Sequence, residues 1–120
     1  MKSLLVSLIL LSGAMAQAKL VCSVQNFFWS KAEVDSAGPN KVIFTVLAGN
    51  GMGGDADVGK RAILQLVGTA HPNGKTFFHY HGMFEAGASQ KSLSFFLSED
   101  GRTLTQMLAL NPLNWSCVPQ

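Results

Sequence analysis

The fold is decided by the stretch SLSFFLSEDGRTLTQML, residues 92–108. Apolar and hydroxyl residues alternate on both sides of its acidic turn, and Asp-Gly between two such runs is a strong hairpin signal. A two-residue turn at Asp100 and Gly101 pairs Leu97 with Leu104. The leucines of both runs then share one face, and the serines and threonines share the other. The stretch therefore predicts an antiparallel strand pair with one buried and one solvent-exposed face.

A helix is the alternative for the second run, residues 103–110. Leu104, Met107 and Leu108 also follow helical spacing, and Pro112 stands where such a helix would end. Both interpretations are open from the sequence alone.

Further β-prone runs, separated by turn residues, fill the rest of the chain. They cover residues 20–29, 32–36, 41–47, 62–71, 75–84 and 114–118. Asn73 and Gly74 supply a second hairpin signal between two of them. Seven or eight strands in a meander at this spacing are typical of small barrels and of β-sandwiches. The sequence therefore predicts one all-β domain over residues 19–120.

The only two cysteines, Cys22 and Cys117, lie in the first and the last predicted strand. A disulfide needs their Cα atoms within about 7 Å, and in a meander the first and last strands are neighbours only when the sheet closes. The pair therefore favours a closed barrel, with a sandwich as the alternative. Closing a loop of about 95 residues corresponds to about 4.5 kcal/mol in the loop-entropy estimate. Trp29 and Trp115 stand near the cysteines and are predicted to pack around the disulfide.

Residues 1–18 have the layout of a secretory signal peptide. Lys2 is followed by a short apolar run and by two small-residue cleavage sites, after Ala16 and after Ala18. The run is too short for a spanning helix, which needs about 20 residues, and no later stretch approaches that length. We therefore expect an exported protein of the periplasm or the extracellular space, with no transmembrane segment in the mature chain.

Composition excludes several functional classes. The 120 residues are 48% hydrophobic and 13% charged, with a formal charge of +2, which suits a folded domain and gives no basic footprint for nucleic acid. Two cysteines exclude a four-cysteine zinc site. The sequence has neither a Gly-x-Ser-x-Gly elbow nor a Ser-x-x-Lys motif. We therefore expect a non-enzymatic binding module, whose ligand is a protein or a component of the cell envelope.

The glycine-rich segment 49–61 is the candidate partner-binding loop. Long irregular connections in compact domains tend to be functional or disordered. Asn50, Met52, Asp55 and Asp57 are its candidate contact residues. The alternative is a solvated connection that serves only to join two strands.

A second candidate site is the strand that contains His79, His81 and Met83. These side chains share one face, and imidazole with thioether suits copper, whereas imidazole alone also suits zinc. All three span about 13 Å of strand and reach one ion only if the strand bends. They are otherwise the polar side of a strand that buries Phe78 and Tyr80. A periplasmic copper- or zinc-binding protein is therefore the alternative function, and no other cofactor is predicted.

Overall fold

The computed structural model describes residues 19–51, 54–109 and 111–120. The predicted signal peptide and Met52 lie outside these residues. The strands are β1 (Leu20–Ser23), β2 (Trp29–Ser36), β3 (Lys41–Gly49), β4 (Arg61–Ala70), β5 (Phe77–Phe84), β6 (Ser92–Ser98), β7 (Thr103–Met107) and β8 (Pro112–Pro119). Each strand pairs antiparallel with the next, and β8 pairs with β1. The predicted closed barrel is confirmed, and the sandwich is excluded.

The hairpin at residues 92–108 has the predicted register. Leu97 pairs with Leu104 and Phe96 with Thr105, and Gly101 adopts the positive φ that the turn requires, at 74°. The run after the turn is therefore the strand β7 and not a helix. Cross-strand packing of Leu97 and Leu104, both buried, favours the extended form over the helical alternative.

The hairpin around Asn73 and Gly74 is also confirmed, and near its turn His79 pairs with Gly68. A bulge between Leu66 and Gly68 then shifts the rest of the ladder by one residue. The extra residue, Val67, is exposed. The bulge keeps the inward side chains of β4 and β5 on the same face beyond this point.

The run at residues 20–29, predicted as one strand, is two strands. β1 ends at Ser23, Asn26 adopts a left-handed conformation with φ 61°, and Trp29 begins β2. The connection is hard to recognise because Val24 and Phe27 in it are buried. β2 therefore includes both Trp29 and the short strand predicted at residues 32–36.

The disulfide joins the two strands that close the barrel. Cys22 and Cys117 are direct register partners on β1 and β8, their Cα atoms are 3.9 Å apart, and their sulfurs are bonded. The closure of the barrel that the cysteine positions predict is therefore confirmed.

Large side chains fill the interior of the barrel. Trp29, Phe44, Phe95 and Trp115 are fully buried, and Phe44 contacts each of the other three rings at centroid distances of 4.9–5.8 Å. An eight-stranded barrel is just wide enough for side chains to fill. The predicted core role of the two tryptophans is confirmed.

The two ends of the barrel differ in their connections. The end that carries the β3–β4 loop (residues 50–60) and the β5–β6 loop (residues 85–91) is the long-loop end. The opposite end carries the tighter turns at residues 37–40, 71–76 and 99–102. We call it the short-turn end.

The wall of the barrel divides by charge into two unequal parts, which we call the charged half and the uncharged half. All charged residues within the described strands lie on β2, β3 and β4, which form the charged half. They are Lys31, Glu33, Asp35, Lys41 and Arg61. β5, β6, β7, β8 and β1 are consecutive around the barrel and contain no Asp, Glu, Lys or Arg in their described strand residues. They form the uncharged half.

Candidate functional site

The β3–β4 loop is folded back against the barrel at the long-loop end. The backbone N–H of Val46 donates to the carbonyl of Lys60, and that of Gly59 donates to the carbonyl of Val46. Between them, Gly54–Asp57 forms a 3-10 turn. Gly54 lies so close to the backbone carbonyl of Phe28 that a Cβ atom would collide with it. Only glycine allows this approach, so the described part of the loop has a defined position.

Asp57 fixes the loop to its surroundings. Its side chain is 2% exposed and accepts a 2.9 Å hydrogen bond from the indole N–H of Trp29. The backbone N–H of Ser89, in the β5–β6 loop, donates to both carboxylate oxygens at 3.2 Å. The ammonium of Lys60 lies 3.6 Å from one of them. One carboxylate therefore joins a core tryptophan to the two long loops.

The pKa of Asp57 reflects this environment. Burial on its own raises the pKa of the carboxyl, but the hydrogen bonds from Trp29 and Ser89 and the charge of Lys60 outweigh it. The net effect lowers the pKa below its ordinary value of 3.8. Asp57 is therefore an ionised, paired carboxylate at neutral pH.

The predicted contact residues of the loop have different surroundings. Asn50 and Asp55 are exposed, and Asp57 is buried. The Asn50 amide donates to the carbonyl of Phe27 at 2.9 Å. Val58, which no sequence motif indicates, is 48% exposed beside Asp57. The carboxylate of Asp57 is thus bonded within the chain. The loop exposes Asn50, Asp55 and Val58 at its surface.

His79, His81 and Met83 lie on the outer face of β5. His81 and Met83 are exposed. His79 is half-buried, with its ring stacked on Phe96 at a centroid distance of 4.4 Å and its Nε2 atom 2.7 Å from the hydroxyl of Ser94. Among the described residues, no three His, Cys, Asp or Glu side chains converge as a metal site.

Gln106 is a second buried polar residue, and no prediction from the sequence included it. Gln106 on β7 points into the barrel, is 1% exposed, and accepts a hydrogen bond from the indole N–H of Trp115 at 3.1 Å. The alternation of β7 did place Gln106 on the inward face with Leu104. That inward position is the sequence signal for a buried Gln106.

Comparison of the chain with protein-family models, with curated proteins and with solved structures finds no match. Within the described residues, no helix is long and apolar enough to cross a membrane.

Proposed function

We propose that this protein is an exported, non-enzymatic binding module that engages a protein or a cell-envelope component through its long-loop end. The observation that carries the proposal is the buried carboxylate of Asp57, which fixes both long loops to the core. Ordering a loop on binding costs free energy, so a surface that is already ordered binds more tightly. The described residues of the two loops around Asp57 form such a surface.

The packing of the barrel supports recognition on its outside. The core is filled by aromatic and aliphatic side chains, and Asp57 and Gln106 in it both accept indole hydrogen bonds. Because the interior is filled, we assign recognition to exposed groups. At the long-loop end these include Asp55 and the apolar side chain of Val58, a combination typical of protein interfaces.

Two matched substitutions test this assignment. Val58 in the loop is 48% exposed, and Val118 on β8 is 58% exposed, so Val58→Asp and Val118→Asp add the same charge at two exposed valines. The natural sequence is crosslinked in an envelope extract to capture its partner. The purified partner is then titrated with the natural sequence and with each variant. We expect Val58→Asp to weaken binding of that partner at least tenfold and Val118→Asp to leave it unchanged. Equal binding by both variants would reject the long-loop end as the site.

Export has its own test. Protein recovered from the periplasm or the medium is subjected to N-terminal sequencing. We expect the chain to begin at Gln17 or Lys19, after cleavage at Ala16 or Ala18. An intact Met1 on protein retained in the cytoplasm would contradict the export proposal. The test of the long-loop end by Val58→Asp would be unaffected.

A copper or zinc site on β5 is the second proposal. It is favoured by the position of His79 and His81 on one outer face, with exposed Met83 beyond them. Calorimetric titration with each metal tests it, using His79→Ala plus His81→Ala as the control. We expect micromolar affinity that the double substitution abolishes. Millimolar affinity, or micromolar affinity that survives the substitution, would reject the site.

A further inference from the structure

The uncharged half offers a binding surface that is separate from the long loops. One row of outward-facing residues crosses it, since His79 pairs with Phe96, Phe96 with Thr105, and Thr105 with Asn114. Gly68 on β4 pairs with His79 and extends the row by one strand. With neighbouring strands about 4.8 Å apart, the five residues span about 19 Å.

The surface is open at the Gly68 end of this row. The ring of His79 leans away from Gly68 and stacks on Phe96, with an interplanar angle of 17°. A Cβ atom built on Gly68 would meet no heavy atom within 4 Å. We call this open space, over the backbone of Gly68 and beside the imidazole of its register partner His79, the slot.

The other end of the row carries hydrogen-bonding groups. The hydroxyl of Thr105 donates to the side-chain carbonyl oxygen of Asn114 at 2.9 Å. Asn114 is exposed, so its amide N–H groups are accessible to a ligand. Ser94 adds a hydroxyl next to His79. The row thus combines a ring face, hydroxyls and an amide.

The chemistry of the row selects a class of ligand. A charged ligand would lose hydration against a face whose strands hold no Asp, Glu, Lys or Arg to compensate it. An apolar ligand would cover the amide N–H groups of Asn114 without giving them a partner. A convex barrel wall suits an extended chain that lies across several strands. The matching ligand is neutral, rich in hydroxyl groups and extended.

We propose that the row from Gly68 to Asn114 binds a neutral polysaccharide, with one sugar ring in the slot over Gly68 and against His79. The sugars that follow along the polysaccharide lie over the edges of the His79 and Phe96 rings. They exchange hydrogen bonds with Thr105 and Asn114. This inference goes beyond the partner of the long-loop end, because the two surfaces share no residue.

Affinity electrophoresis of the purified mature protein, in gels that contain a defined polysaccharide, tests the proposal. The neutral probes are dextran, mannan, galactan and soluble glycol chitin, and the anionic probe is alginate. We expect at least one neutral probe to retard the protein, with a dissociation constant that does not change with salt. Migration unaffected by all four neutral probes, or salt-sensitive retardation by alginate alone, would overturn the proposal.

Gly68→Val is the decisive variant because it fills the slot without disturbing the fold. Gly68 has no positive φ and open space at its Cβ position, and valine suits a strand. We expect an unchanged melting temperature and at least a tenfold weaker retardation. Gly87→Val is the matched control, since Gly87 has the same open Cβ position but lies in the β5–β6 loop. It should retain full retardation.

The outcomes separate the two binding surfaces. If Gly68→Val binds polysaccharide as tightly as the natural sequence, the slot is rejected while the partner of the long-loop end is unaffected. If Val58→Asp loses its partner but retains polysaccharide binding, both assignments stand. A monomer–dimer equilibrium that Gly68→Val abolishes would assign the row to contact between copies of this chain and overturn the polysaccharide.

Discussion

The charged half and the uncharged half of the barrel each bury one tryptophan, and they satisfy its indole N–H in different ways. Trp29 on β2 donates to the carboxylate of Asp57, which also accepts from Ser89 and lies near Lys60. Trp115 on β8 donates to the neutral amide of Gln106 on the adjacent strand β7. The first partner comes from a loop and carries a charge, whereas the second is part of the wall.

The difference follows from the number of donors that each site supplies. Burial of a carboxylate is costly unless several donors or a cation compensate it. Asp57 has Trp29, two contacts from Ser89, and Lys60. The only hydrogen bond found for the side chain of Gln106 in the described part of the chain comes from Trp115, so an amide suffices there. A charge can therefore fix loops at one tryptophan but would be poorly compensated at the other.

The largest effect on stability is expected at the pairing of β1 with β8, which closes the barrel within the uncharged half. Replacing Cys22 and Cys117 by alanine removes the link between β1 and β8. We expect the free energy of unfolding to fall by about 4 kcal/mol, because the unfolded chain regains the freedom of a loop of about 95 residues. Urea denaturation measures it, with the reduced natural sequence as a second sample. An unchanged midpoint in both samples would contradict a structural role for the disulfide.

Placing a charge in the interior of the uncharged half comes next. Gln106→Glu keeps the size of the side chain and the indole bond but adds a buried carboxylate, and no Lys or Arg is buried among the described residues. We expect a loss of about 3 kcal/mol at pH 7. The pKa of the new carboxyl is raised by burial, so the loss shrinks as the pH falls through that raised value and the group becomes neutral. A loss that is constant between pH 7 and pH 4 would contradict this account.

The converse substitution, Asp57→Asn, has a smaller effect and the opposite pH dependence. The folded-state pKa of Asp57 is lowered, so its contribution is fully present above the ordinary value of 3.8 and is lost as the pH falls through the folded value. We expect a loss of about 1.5 kcal/mol at pH 7 that disappears under acid conditions.

Asp100, whose pKa is also lowered by Ser98 and Arg102 against the opposing effect of burial, titrates alike in the natural sequence and in Asp57→Asn. The difference between their urea midpoints, measured from pH 7 to pH 2, therefore isolates Asp57. A difference that grows as the pH falls would contradict the sign.

Much of the wall could be predicted from the sequence, because its signals are local. Asp100 and Gly101 fix the register of one hairpin, and the positions of Cys22 and Cys117 indicate closure. The break after Ser23 could not be predicted in this way. Its connection contains Val24 and Phe27, which are buried like strand residues, so apolar pattern does not separate a strand from a buried turn.

The buried polar partners could be predicted only in part. Gln106 occupies an inward position that the alternation of its strand indicates, but polar residues are usually assigned to the surface. Asp57 gave no comparable signal. Its indole partner is 28 residues away, and its second partner, Ser89, lies in a different loop. Only the closed barrel brings the three together, so the sequence named Asp57 as one of four candidate contact residues and not as the residue that fixes the loop.

The smallest effect on stability separates the outer faces of the two halves. Gln65→Lys adds a charge to β4 in the charged half, and Asn114→Lys adds one to β8 in the uncharged half. Both positions are exposed, so each substitution should change the free energy of unfolding by less than about 0.5 kcal/mol. We nevertheless expect only Asn114→Lys to weaken retardation by a neutral polysaccharide. Asn114→Lys removes the amide that the row offers to the ligand, and a bound neutral chain displaces water from the new ammonium without providing a counter-charge. If Gln65→Lys weakens retardation equally, the absence of charge from the uncharged half has no part in recognition.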